Sequence, residues 1–190
     1  MHLTSSPVDW YAARAAGIVA YLLLSVVVML GLVLSARRQS KRWPRFALED
    51  VHRFAGLLTG TFVALHVATI AIDSYTPFSL TGLVVPFVSS YRPLPVALGI
   101  VSAELLVALA VTNRLRNRVL SYRTWRRAHY LGFAVWAAAA LHGITAGTDR
   151  GGAWLLVLYA ASIAAIAGLL AARAPHYAAW NPSNRSAASS

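Results

Sequence analysis

Cysteine is absent from the 190 residues of this sequence. Its absence excludes disulfides, thiolate-held iron–sulfur clusters, cysteine zinc sites and haem attached covalently through a CxxCH motif. A metal cofactor in this protein must therefore use other ligands, of which histidine is the first candidate.

Charged residues are scarce, and negative ones especially so. They make up 12% of the chain, with 6 Asp+Glu against 17 Lys+Arg, whereas 58% of the residues are hydrophobic. This composition argues against a water-soluble domain and indicates a membrane protein. In a soluble protein the positive excess would suggest nucleic acid binding. Here the cations lie in short loops between apolar runs, so we expect no nucleic acid partner.

Five hydrophobic stretches are each close to the ~20 residues that a helix needs to cross a bilayer. They cover residues 10–34, 46–72, 94–112, 128–146 and 153–172. The first is too long for the apolar part of a signal peptide and follows Asp9 rather than a basic segment, so we interpret it as a transmembrane helix. The sequence predicts an all-α, polytopic membrane bundle of about five spans over residues 10–172. Residues 1–9 form an extracytoplasmic segment in this interpretation, and residues 173–190 form a cytoplasmic tail.

Basic residues cluster in the loops that follow the first and third spans. These clusters are Arg37, Arg38, Lys41, Arg42 and Arg45, and Arg114, Arg116, Arg118, Arg123, Arg126 and Arg127. Because loops rich in Lys and Arg are retained on the cytoplasmic side, we predict an outside N-terminus and a cytoplasmic C-terminus. On the opposite side, the connection 73–93 is too apolar for a solvated linker and too broken by proline to span. We expect it to lie on the outer membrane surface as an interfacial or lightly re-entrant segment, either capping the bundle or covering an outer site.

Four histidines lie in apolar surroundings, two on the second stretch and two on the fourth: His52, His66, His129 and His142. Ionisable residues within spans are functional candidates, with hydrogen bonding between helices as the alternative. His52 and His66 are 14 residues apart, which is about 21 Å of rise and about 40° of angular drift. His129 and His142 are 13 residues apart, about 19.5 Å, and the two helices run in the same direction. At each of two matching depths, one histidine of the second stretch can therefore meet one histidine of the fourth stretch.

This arrangement suits two b-type haems, each of which takes an axial imidazole on either face and has no covalent link to the protein. We predict one site from His52 with His129 and another from His66 with His142. On an ideal helix, 13 residues correspond to about 220° of rotation, so we also expect an irregularity near Gly132 or a late turn around His142 and Gly143. Zinc is the main alternative metal, but it needs three or four ligands, and these histidines fall into twos.

Two stretches of sequence, LEDVHRFAGLLTGTFVALHVATIAID and WRRAHYLGFAVWAAAALHGITAGTD, resemble the haem-carrying helices of the ferric reductase-like transmembrane domain family. That family includes NADPH oxidases, fungal ferric reductases and the haem subunit of bacterial periplasmic methionine sulfoxide reductase systems. The likeness extends over about residues 46–172, and SSYRPLPVALG at 89–99 is similar to bacterial members. The resemblance implies that the four histidines are axial ligands of two stacked b-haems passing electrons from the cytoplasmic to the outer side. It also implies an integral protein of a bacterial plasma membrane.

Two features depart from the family pattern. Members commonly have six helices rather than about five, and the oxidases continue into flavin- and nicotinamide-binding domains. This sequence has no GxGxxG motif after a strand. We therefore expect a separate electron donor, either a flavoprotein, a quinone or a soluble carrier docking on the basic loops, and an extracytoplasmic acceptor. A stand-alone quinol-dependent ferric reductase, or a non-redox membrane protein with structural histidines, are the alternatives, so whether the chain is itself an enzyme stays open.

A few other charged residues are candidates for supporting roles. Arg53 and Arg127 flank the inner histidines and are predicted to bind haem propionates, with membrane topology as the alternative explanation. Arg92 and Arg150 are candidates for the same role at the outer haem, or for contact with lipid headgroups. Glu104 lies inside the third span and is either a proton or quinone group or a hydrogen-bonding partner of a neighbouring helix.

Overall fold

The computed structural model describes residues 7–36, 43–73, 78–116, 118–147 and 152–173, and within them the chain is helical without any strand. Seven helices follow one another in these ranges, so the predicted all-α class is confirmed. They are α1 (Pro7–Ser35), α2 (Arg45–Ile72), α3 (Leu80–Val84), α4 (Pro93–Leu115), α5 (Tyr122–His129), α6 (Leu131–Ala146) and α7 (Ala153–Ala171).

Local sequence explains where several helices begin. Pro44 immediately precedes α2, and α4 starts with Pro93, whose fixed φ suits the first turn of a helix. Ser79 and Ser121 cap α3 and α5, because each hydroxyl accepts a hydrogen bond from the backbone N–H three residues later. These caps fix the starts of the two short helices.

Within the described ranges, α1, α2, α4 and α7 are long and apolar enough to cross a membrane. The fourth predicted span, 128–146, is instead divided between α5 and α6, and α6 alone has 16 residues, about 24 Å of rise. Many large apolar side chains on the long helices point away from the bundle, as Leu57 at 70% exposure and Val157 at 66% illustrate. Such outward-facing apolar surface is expected where lipid replaces water.

The helices associate in two close pairs. Helix α1 packs along α2 and α4 packs along α6, whereas the backbones of α2 and α6 make almost no close contact with each other. Helix α1 also contacts α6 and α7, and there the core is built from Tyr21, Val28, Leu32, Ala140, Leu155, Tyr159 and Ile166. As a result, α2 and α6 face one another across a gap that the other helices hold open.

The connection after α2 forms α3 and a series of turns over residues 78–92. Its apolar side chains are exposed, with Leu80 at 81% and Phe87 at 65%. Phe87 and Arg92 adopt left-handed backbone conformations, with φ of 68° and 41°. Exposed apolar groups on a segment too short to span fit the expected position at the membrane surface, while residues 74–77 of the same connection lie outside the described ranges.

Candidate functional site

The four intramembrane histidines come together as two pairs between α2 and the α5–α6 unit. The ring centroids of His52 and His129 are 6.1 Å apart, with an interplanar angle of 63°. Those of His66 and His142 are 6.2 Å apart, at 77°. The structure thus brings together the same partners that matching helical depth predicts.

The two pairs occupy different levels of the bundle. Helix α2 runs without interruption past both His52 and His66, so the 14 intervening residues separate the levels by about 21 Å along its axis. Helix α2 begins at Arg45, seven residues before His52, and ends at Ile72, six residues after His66. One pair therefore sits near each end of the bundle.

A helix break resolves the rotational mismatch between His129 and His142. Helix α5 ends at His129, Tyr130 belongs to neither helix, and α6 then continues regularly through His142 and Gly143 to Ala146. The predicted irregularity near Gly132 is confirmed, two residues earlier than expected, and the alternative of a late turn at His142 is wrong. Because the two histidines belong to different helices, the ideal rotation over 13 residues does not constrain them.

Three of the histidines are oriented by backbone carbonyl groups of the neighbouring helices. The Nδ1 atom of His66 is 2.7 Å from the Ala13 oxygen, that of His142 is 2.8 Å from the Pro95 oxygen, and that of His52 is 3.1 Å from the Val27 oxygen. A carbonyl oxygen only accepts hydrogen bonds, so each Nδ1 must carry the proton. This tautomer leaves the lone pair of Nε2 free to bind a metal, which is the usual arrangement of metal-ligating histidine.

His129 is held differently. It is exposed, and its ring stacks on that of Trp125 at 5.1 Å and 25°. The guanidinium carbon of Arg116 lies 4.7 Å from the centroid of the Trp125 ring. The indole Nε1 of Trp125 is buried and has no hydrogen-bond acceptor within the described part of the chain. A buried donor without a partner is costly, so this one is suited to an acceptor that the protein does not itself provide.

The geometry of both pairs fits one metal ion bound between two imidazoles. Bonds from a metal to imidazole nitrogen are about 2.0–2.1 Å long and the ring centroid lies about 1.2 Å behind the nitrogen, so two imidazoles holding one metal ion between them would have centroids about 6.5 Å apart. The separations of 6.1 and 6.2 Å are close to this value. Among the described residues, no cluster of three or more His, Cys, Asp or Glu side chains could hold a metal ion. The donor set therefore suits a metal whose remaining ligands come from a bound macrocycle.

The predicted arginine partners occupy surface positions. Arg53 has a side chain 63% exposed and approaches Asp50 at 4.0 Å, and Arg127 is also exposed. Arg92 instead ties two helices together, because its Nη1 donates to the carbonyl oxygens of Thr145, Ala146 and Gly147 at the end of α6. In the structure Arg92 thus caps a helix C-terminus, and its role at a propionate or headgroup stays a prediction, while Arg150 falls outside the described residues.

Other groups of the site were missed or misplaced by sequence reasoning. Glu104 is exposed on α4 rather than packed against a neighbouring helix. No motif marks Trp125 in the sequence, although its position four residues before His129 places both rings on one helix face. The carbonyl groups that orient the histidines carry no side-chain signal at all.

Comparison with known proteins relates this site to a family. Residues 16–140 match the family described as "Ferric reductase like transmembrane component". The match covers most of α1, three of the four paired histidines and the start of α6, and it stops two residues before His142. No curated protein and no solved structure matches the chain.

Proposed function

Since the chain belongs to the family of ferric reductase-like transmembrane components, and so is a membrane redox component, we propose that it transfers electrons across the bilayer through two b-type haems. His52 with His129 would hold one haem, and His66 with His142 the other. Each haem would supply one-electron chemistry by cycling between ferric and ferrous iron. The chain's own residues bind and orient the two groups.

The observation that carries this proposal is the repeated pair geometry. Two histidine pairs at different depths have nearly the same ring separation, 6.1 and 6.2 Å, and both separations suit a single metal between two imidazoles. Histidines that merely joined helices would have no reason to repeat one ring separation at two levels of the bundle. The gap between α2 and α6 adds room for a flat macrocycle between the rings.

The hydrogen bonds to Ala13, Val27 and Pro95 support the same assignment. They hold three imidazoles in the tautomer that leaves Nε2 available, and they restrict rotation of each ring. Ligand basicity also rises when Nδ1–H donates to a carbonyl, which stabilises ferric iron relative to ferrous iron.

The surroundings of the His52 level fit the polar edge of a haem. The unpartnered Nε1–H of Trp125 lies beside His129, and a haem propionate is an acceptor of suitable charge. Arg53 and Arg127 are on the same level and, by moving long flexible side chains, would add positive charge near that propionate.

We further propose that electrons enter at the His52 level and leave at the His66 level. The support is the concentration of Arg and Lys in the loops beside His52, which predicts that this end is cytoplasmic. The donor would be a separate flavoprotein, a soluble carrier or a membrane quinone, and the acceptor would act on the extracytoplasmic side near α3.

Absorption spectra of the detergent-purified protein, oxidised and then reduced with dithionite, test this function. We expect low-spin bis-imidazole b-haem spectra with two haems per chain. His52→Ala and His66→Ala should each remove one haem while leaving the spectrum of the other in place. A wild-type protein that stays colourless after haem supplementation would refute the proposal and leave the histidines as structural contacts.

A further inference from the structure

Three of the four paired histidines lie directly against a glycine of a neighbouring helix. A Cβ atom built on Gly99 would be 2.7 Å from the His142 ring, one on Gly17 would be 3.0 Å from the His66 ring, and one on Gly31 would be 3.5 Å from the His52 ring. The first distance is shorter than real Cβ contacts, the second is tight, and the third is ordinary van der Waals contact. The absence of a side chain at these positions therefore lets the rings approach the helix backbone.

Each glycine has the same relation to the carbonyl group that accepts the Nδ1–H bond. The acceptors Ala13, Val27 and Pro95 each precede one of the glycines by four residues. In an α-helix, residues four apart lie one turn from each other on the same face. Each imidazole thus lies over a glycine and donates to the carbonyl oxygen one turn before it, and this arrangement occurs three times on two helices.

The register of α1 matches that of α2. Gly17 and Gly31 are 14 residues apart, the same spacing as between His52 and His66, and the two helices pack along one another. Because both spacings have the same rise and the same angular drift, one helix pairing positions both rings at once. Helix α4 performs the same task for His142 through Gly99.

Other glycines within the helices do not show this feature. Gly56, Gly60 and Gly168 have nothing within 4 Å of an added Cβ. Close contact with a histidine ring is therefore a property of three particular positions rather than of glycine in this bundle. His129, which stacks on Trp125 instead, is the one paired histidine without such a glycine among the described residues.

We propose that Gly17, Gly31 and Gly99 are positioning residues for the haem ligands, an inference that rests on the proposed function. Each glycine permits the ring to reach the carbonyl oxygen one turn earlier, which sets the tautomer, the ring plane and the distance to the opposite histidine. A methyl group at Gly99 or Gly17 pushes the ring toward its partner and lengthens the Nδ1–H···O bond. The His66–His142 site, positioned on both sides, depends on this arrangement more than the His52–His129 site does.

Alanine substitutions in the full-length protein test the inference, with Gly60→Ala on α2 as the matched control. Haem per chain, the EPR spectrum of each low-spin haem and a redox titration are measured for Gly99→Ala, Gly17→Ala and Gly31→Ala. We expect Gly99→Ala to lose the haem that His142→Ala loses, and Gly17→Ala to keep that haem with a shifted EPR signal and midpoint potential. Gly31→Ala should give the smallest shift, confined to the other haem, and Gly60→Ala should match wild type.

The outcomes separate this inference from the proposed function. Wild-type protein without haem refutes the proposed function, whereas wild-type protein with two haems and unaltered spectra in Gly99→Ala and Gly17→Ala overturns only the positioning role. Equal damage from Gly60→Ala would also overturn it. If Gly99→Ala does not yield folded protein, Gly31→Val against Gly60→Val decides the matter. The valine at Gly31 must shift the His52 haem signal more than alanine does, and a spectrum unchanged by valine contradicts the inference.

Discussion

Arg92 offers a quantitative test of how the end of α6 is held, because it contributes favourable contacts and backbone strain at the same position. Its Nη1 donates to three carbonyl oxygens at 3.2, 3.2 and 3.3 Å. Its φ of 41° lies in the left-handed region, which disfavours every residue with a Cβ. Arg92→Ala removes the contacts and keeps the strain, whereas Arg92→Gly removes both.

The expected magnitudes follow from these two effects. Charged hydrogen bonds contribute about 1.5–3 kcal/mol and a cation at a helix C-terminus about 0.3–1 kcal/mol, but the three bonds are long and share one nitrogen. We therefore expect Arg92→Ala to lower the free energy of unfolding by about 2 kcal/mol. Left-handed backbone at a residue other than glycine costs about 1 kcal/mol. Arg92→Gly should accordingly be less destabilising than Arg92→Ala by about 1 kcal/mol.

Thermal and denaturant unfolding of the detergent-solubilised protein measures this order. The reverse order is normal inside a helix, where glycine is less stable than alanine by about 1 kcal/mol, so the comparison is discriminating. Arg92→Lys is the charge control and should fall between wild type and Arg92→Ala, because it keeps a cation near the helix C-terminus on a shorter side chain. A glycine variant less stable than the alanine variant would refute the strain argument, and an alanine variant as stable as wild type would refute the cap.

Three further predictions concern separate parts of the chain. Trp125→Phe keeps the stacking on His129 but removes the unpartnered N–H. Because the negative charge of a propionate there would then be less compensated, the midpoint potential of that haem should fall in a redox titration. An unchanged potential would contradict this. The indole N–H of Trp136 donates to the Ser25 oxygen at 3.0 Å. Ser25→Ala leaves this N–H without its acceptor and should reduce the free energy of unfolding by about 1–3 kcal/mol. Adding Trp136→Phe should recover part of the loss. The chain has no native cysteine, so a single introduced cysteine reports on its own position. A cysteine at exposed Ser90 should react with an impermeant thiol reagent in intact cells, and one at exposed Arg118 should not. The opposite labelling would invert the proposed orientation.

Much of the fold could be predicted because the bilayer restricts the possibilities. The long apolar stretches admit little besides helices, and α1, α2, α4 and α7 lie where hydropathy places them. The division of the fourth stretch was predicted only from the helical rotation between His129 and His142, which an ideal helix does not bring to one face. Its location at Tyr130 could not be derived, because no proline or glycine at that residue marks a break and tertiary packing decides where the helix yields.

The candidate site was partly predictable for a similar reason. Helical rise converts sequence spacing into depth, so the partners of His52 and His66 follow from residue numbers alone. The arginines behaved differently, because a long side chain can reach several groups from one backbone position. Arg92 caps α6, a contact that no spacing rule predicts.

The sequence by itself determined the membrane class, the helical spans and the depth at which each histidine lies, since these depend on composition and on a fixed rise per residue. Only the tertiary structure decided which helix stands behind each ring. The glycines at 17, 31 and 99, and the carbonyl groups one turn before them, acquire a role only when α1 packs along α2 and α4 along α6. Every residue has a carbonyl group, so the choice of acceptor is made by the packing of helices and not by the identity of a side chain.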